Sequence, residues 1–291
     1  MSPAAFALVL AGALCHAAWN ILAKRCAGGG LVLVWLYGLV SLAPALPLAL
    51  WAWQARQPAL TPAMAIAIVS SAVVHVLYSL ALQRGYAAGP FSVVYPVARG
   101  TGPLLTVLAA VALWREQPSP SGWLGVGAVL GGILLLARGA SHPEAALPAQ
   151  ALRAGLRWGL TTGALVASYT VIDAWAIKSL GMAPLVFYPL SLLLRSALLM
   201  PFILPRSAEA RGAWREHRGA IVGVGLLSPL AYTLALLALQ QAPLSYVAPV
   251  REVSMLVGAL VGARLLGEPL TAARIAGVLM LLGGVTGIAM A

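Results

Sequence analysis

The sequence predicts an all-α integral membrane protein of ten transmembrane helices, arranged as two inverted five-helix repeats around a central cavity. Three observations predict it. Hydrophobic residues make up 61% of the 291-residue chain and charged residues only 9%, against about 25% charged in a soluble domain. Ten apolar runs of bilayer-crossing length follow one another. The second half of the chain repeats a pattern of the first.

A hydrocarbon core of about 30 Å takes about 20 mainly apolar residues per helix. Runs of that order lie near 3–23, 31–53, 62–83, 90–114, 121–138, 155–178, 183–205, 219–240, 244–266 and 272–290. Polar or Gly/Pro-rich breaks separate them: residues 26–30, 54–62, 115–121 and 267–271 read as tight hairpins, and 206–218 as a longer solvent loop. The polar stretch 141–153 divides the chain into a first repeat, 1–140, and a second, 154–291. The first run carries His16, Trp19 and Asn20 where a signal peptide would carry plain aliphatics, so it reads as a retained helix.

The net charge of +11 does not point to nucleic acid, because Lys and Arg are spread singly through short loops. Such residues anchor helix ends at anionic headgroups, which suits the plasma (inner) membrane. With ten spans both termini share one side. Twelve Lys and Arg lie opposite them and only Arg56, Arg115 and Lys178 lie with them, so the positive-inside bias places the termini outside the cytoplasm. Cys15 and Cys26 sit in different settings and make no disulfide framework, and the four histidines are scattered without metal-ligand spacing. No cofactor is expected.

The repeat is visible as SVVYPVAR (Ser92 to Arg99) and SYVAPVRE (Ser245 to Glu252), with Ser and Pro in register at an offset of 153. Glu116, Gly125, Gly131 and Gly132 recur as Glu268, Gly277, Gly283 and Gly284 at an offset of 152. A five-helix unit crosses the bilayer an odd number of times, so its second copy is inserted upside down. Secondary transporters use this arrangement to exchange inward-open and outward-open states, with substrate between the halves near mid-membrane. Duplication that merely enlarges a bundle would leave the polar residues inside the spans unexplained.

The stretches 113–133 (LWREQPSPSGWLGVGAVLGGI) and 265–285 (LLGEPLTAARIAGVLMLLGGV) resemble the repeat ends of EamA-type members of the drug/metabolite transporter superfamily. The resemblance spans the chain. It implies ten helices, two repeats and movement of small metabolites, and it implies cytoplasmic termini, opposite to the charge distribution.

Ionisable groups inside membrane spans are costly and mark function by default. In the fourth span Ser92, Tyr95, Pro96, Arg99, Pro103 and Thr106 form a polar stripe in which two prolines permit a kink or break. Arg99 is expected to face the cavity and to hold a carboxylate or phosphate-like group. Glu252 is its repeat mate, so the two could also neutralise each other. His16, Trp19 and Asn20 share a face of the first span, and His75 and Tyr78 a face of the third. Tyr169 and Asp173 share a stripe of the sixth. Asp173 is the expected proton-coupling residue, with Lys178 or Arg195 as possible partners. Arg195 and Arg251 carry no assigned role. Glu116 and Glu268 are expected to cap the helices that follow them or hold loop amides, and the repeated glycines to let helices approach closely.

The leading function is secondary transport of a small polar metabolite with an anionic or zwitterionic group, by alternating access, driven by a proton gradient or running downhill. The absence of a GxxxxGK[ST] loop removes ATP as the fuel. An exporter of lipophilic or aromatic compounds, recognised by Trp19, Tyr78, Tyr95, Tyr169 and Tyr246, is the alternative within transport. A membrane scaffold or an intramembrane enzyme is the alternative outside it, the latter lacking GxSxG, HExxH or paired acids one turn apart. The oligomeric state is left open.

Overall fold

A computed structural model of the chain describes residues 1–24, 30–56, 59–89, 91–140, 148–257 and 271–291. The helices are α1 (Pro3–Lys24), α2 (Gly30–Arg56), α3 (Pro62–Ala88), α4 (Phe91–Trp114), α5 (Pro120–Ala140), α6 (Ala149–Ala174), α7 (Pro184–Ile203), α8 (Ser207–Leu239), α9 (Leu244–Val250) and α10 (Ala272–Met290). No strand occurs among the described residues. Six helical runs among them are long and apolar enough to cross a membrane; one of these, Pro184–Leu239, contains both α7 and α8, and Pro120–Leu136 and Ile275–Met290 are shorter apolar helices.

Local sequence explains where the helices start. Thr61 accepts a hydrogen bond from the Met64 N–H at 3.3 Å and is followed by Pro62, a residue suited to a first helical position, which has no intrahelical partner for an N–H. Pro184 likewise opens α7, there after Ala183, which gives no side-chain cap. The α6 helix runs on into a π turn at Trp175–Ser179, closed by Leu180 N–H to Trp175 O at 3.0 Å.

Two expectations are corrected. The stretch 206–218 is not a solvent loop. Its Ala, Arg and Glu residues are strong helix formers and Glu209 lies in the first turn, so it opens α8. The helical geometry lapses only at His217 (φ −120°, ψ 16°), where two helices meet end to end. The expected break in span four is also displaced. The α4 helix runs unbroken from Phe91 to Trp114, whereas α9 stops at Val250 and gives way to a turn at Arg251 and Glu252 before helix resumes over 253–257. Pro249 has no N–H to give to the Ser245 carbonyl. After an i−4 bond from Arg251 N–H to Val247 O at 3.2 Å, i−3 bonds appear, from Glu252 N–H to Pro249 O at 3.0 Å and from Met255 N–H to Glu252 O at 2.9 Å.

The packing follows the repeat. The α1 helix packs on α8 as α6 packs on α3, α2 meets α8 as α7 meets α3, and α2 with α7 and α5 with α10 pair across the halves. Exchanging the halves maps these contacts onto one another. At the α5–α10 seam a Cβ on Gly125 would lie 2.7 Å from the Gly284 carbonyl oxygen, and one on Gly132 2.8 Å from that of Gly277. Main chain meets main chain there, as the repeated glycines suggest. Gly283 differs, with nothing within 4 Å of a Cβ position. Outward, Leu50, Trp51, Leu113, Leu124 and Leu279 are each more than 60% exposed. A surface so apolar requires lipid around it, and the chain is a multi-pass membrane protein.

Candidate functional site

Arg99, in the middle of α4, projects into a cleft that α1, α8 and the turn after α9 complete. Gly12, Ala13, His16, Ala231, Ala235, Arg251 and Glu252 line it with Arg99. The small residues of α1 and α8 leave a space of about 10 Å³, room for about one water in this closed arrangement. Arg99 Nη1 stands 3.4 Å from both Glu252 carboxylate oxygens, and Nη2 lies 2.9 Å from His16 Nε2. A guanidinium only donates, so Nε2 is the acceptor. The Arg99 guanidinium also lies 5.5 Å from the centre of the Tyr95 ring, and Trp19 stands edge-on to His16 at 4.8 Å. The Trp19 indole N–H is buried with no acceptor among the described residues.

The ion pair bridges the repeats, and it is stretched. At 3.4 Å it exceeds the 2.7–2.9 Å of a tight charge-assisted bond. Arg251 lines the same cleft, so two arginines and one carboxylate border it.

Behind Arg251 lies a second polar cluster. The Arg251 guanidinium sits 5.2 Å from the centre of the Tyr232 ring, and the Tyr232 hydroxyl donates to Asp173 Oδ2. Ser71 Oγ donates to Asp173 Oδ1 at 2.6 Å and receives a bond from Ser191 Oγ at 3.2 Å. The His75 ring stacks on Tyr169 at 4.0 Å, with Nδ1 donating to the Ser71 carbonyl at 2.9 Å. Asp173 is fully buried. Among the described residues no cation lies within ion-pair distance of it, so hydroxyls from α3 and α8 hold it instead.

Lys178 is committed elsewhere. Its Nζ donates to Glu116 Oε1 at 2.7 Å, and the same carboxylate accepts from the Leu244 N–H (Oε1) and the Ser245 N–H (Oε2), each at 2.9 Å. Glu116 therefore caps α9, in the other repeat, rather than the helix that follows it. Burial alone would push its carboxyl up, but Lys178 and the Ser245 and Leu244 amides together hold it below the usual carboxylate range. Tyr246 reinforces the same corner by accepting from the Ser119 N–H at 3.1 Å. Glu268 lies outside the described residues.

The structure thus brings His16, Trp19, Tyr95, Arg99 and Glu252 to one cleft, and His75, Tyr78, Tyr169 and Asp173 to a neighbouring cluster in which Tyr78 meets Tyr169 edge-on at 5.6 Å. Asn20 turns back on its own helix, its Nδ2 donating to the His16 carbonyl at 2.6 Å. Tyr232, Ser191 and the role of Arg251 were not apparent from the sequence reading. A signal for Tyr232 exists, since YSLAL at 78–82 recurs as YTLAL at 232–236 and makes Tyr232 the repeat mate of Tyr78.

No curated protein matches the chain with significance. A solved crystal structure matches it with a TM-score of 0.76 at 14% identity, over 100% of this chain and 98% of the other, a likeness of fold. The model of the EamA-like transporter family matches residues 3–138 and again 153–290. Two matches that together span nearly the whole chain, over a fold whose helix contacts repeat across its halves, make this protein a member of the EamA-like transporter family.

Proposed function

We propose that the protein is a secondary transporter of a small polar metabolite, anionic or zwitterionic, working by alternating access of ten spans in the plasma (inner) membrane. The observation that carries the reading is the cleft between the repeats bordered by two arginines, Arg99 and Arg251, and one carboxylate, Glu252, which Arg99 pairs with. The surplus positive charge there favours an anionic cargo, and the stretched Arg99–Glu252 pair leaves a guanidinium that a carboxylate or phosphate-like group can engage bidentately. The buried Trp19 N–H offers a further donor beside it. Asp173, held by hydroxyls and without an ion-pair partner among the described residues, serves in this reading as the group that binds and releases the driving proton.

The aromatic cluster of Tyr78, Tyr169, Tyr188 and Tyr232 around His75 favours a second reading, export of aromatic or lipophilic compounds. Melting of the purified protein with anionic, zwitterionic and lipophilic cationic compounds separates the two, because a ligand that binds only the folded state raises the midpoint. Stabilisation by an acid or zwitterion that vanishes in Arg99→Ala supports the first reading. Stabilisation by lipophilic cations alone, unchanged in the variant, overturns it.

A further inference from the structure

Away from the cleft, α2, the end of α7 and the start of α8 enclose a groove of about 350 Å³, within the range of ligand pockets. Its walls are Trp35, Leu36, Ile203 and Leu204, and its α8 side presents two adjacent stripes at helical i, i+4 spacing. Ala210 and Trp214 form the apolar stripe; Ser207, Arg211 and Arg215 form the polar one. We propose that this groove binds an anionic phospholipid, with an acyl chain along the Trp35–Ile203 wall and the phosphate on Arg211 and Arg215.

The position supports that occupant. The α8 helix has 33 residues, about 50 Å at about 1.5 Å per residue, against a hydrocarbon core of about 30 Å. The part after His217 already has the length a span needs, which leaves 207–216 at headgroup level. Trp214, 40% exposed, suits the interfacial layer where indole rings collect. The charge is complementary to an anionic lipid: Arg206, Arg211, Arg215 and Arg218 outnumber Glu209 and Glu216 around the segment. Neither carboxylate lines the groove, and Glu216 lies 3.6 Å from His217.

The test is native mass spectrometry of the full chain after exchange into nanodiscs of equal phosphatidylglycerol and phosphatidylcholine. Two arginines near a lipid surface correspond to a preference of about tenfold or more for the anionic lipid. The wild type is expected to retain phosphatidylglycerol with that preference, and Arg211→Gln with Arg215→Gln to lose it. Ala210→Trp keeps both arginines but fills the groove, and it is expected to lower lipid retention as well; it decides the matter if the double variant does not fold. Equal retention of the two lipids by wild type, undiminished preference in folded variants, or displacement of the lipid by glycerol phosphate, which has no acyl chain, overturns the proposal.

Discussion

Lys178 donates to Glu116 across 2.7 Å, tying the π turn at the end of α6 to the hairpin between α4 and α5 while the same carboxylate caps α9. Three segments from both repeats therefore meet on one side chain, which is only 10% exposed.

This predicts an acid-sensitive stability. A carboxyl held below its ordinary range contributes stability above the unfolded pKa and loses it as pH falls through the folded one. The melting midpoint is expected to fall as detergent-solubilised protein is taken from neutral pH into and below the carboxylate range. Glu116→Gln should flatten that acid limb, and Glu116→Ala should cost about 1–3 kcal/mol at neutral pH through the unpaired amides and Lys178. Coincident wild-type and Glu116→Gln profiles would show that the corner contributes nothing.

The Arg99–Glu252 pair predicts a separation of folding from transport. Arg99→Ala should lower flux into proteoliposomes by tenfold or more, the scale of a lost charge-assisted hydrogen bond. In the exchanged variant, Arg99→Glu with Glu252→Arg, the pair can re-form, so the melting midpoint should return toward wild type while flux stays low. Full recovery of flux would make the pair purely structural.

Asp173 predicts a change in driving force rather than in recognition. Asp173→Asn keeps acceptor and shape but cannot carry the proton, so pH-gradient-driven uptake should be abolished while exchange of labelled for unlabelled substrate persists. Tyr232→Phe removes one of the two hydroxyls that donate to Asp173 and should shift the pH at which uptake is half-maximal. Unaltered gradient-driven uptake in Asp173→Asn would remove the residue from coupling.

The α5–α10 seam predicts sharp positional contrast among glycines. A Cβ at Gly277 would sit 2.9 Å from the Gly132 carbonyl oxygen and 2.8 Å from the Leu136 nitrogen, whereas one at Gly127 or Gly283 meets nothing within 4 Å. Gly277→Ala should therefore destabilise by about 1–3 kcal/mol, the scale of overpacking, and Gly127→Ala and Gly283→Ala by far less. Equal melting shifts would refute the close approach.

Much of this was legible in the sequence because the repeat writes the same residues twice. Arg99 and Glu252 share a register with Ser92 and Ser245, and they meet in space. Gly125, Gly132, Gly277 and Gly284 recur together, and they interlock. What escaped the sequence depends on contacts whose spacing carries no period. Glu116 caps a helix 128 residues away, and no local pattern distinguishes that from capping its own. Tyr232 follows Tyr78 at an offset of 154 rather than 153, a slip that hides it when the repeat is aligned on the fourth and ninth spans. The charges of segment 206–218 suggest a loop, but its Ala, Arg and Glu residues also favour helix, and helix is what forms.

The glycine seam has a consequence for how such a protein can change its cargo. None of Arg99, Glu252, Asp173 or His75 lies on α5 or α10, and these two helices touch through peptide atoms that every residue possesses. The lining of the cleft can therefore be rewritten, residue by residue, while the halves keep the same axle.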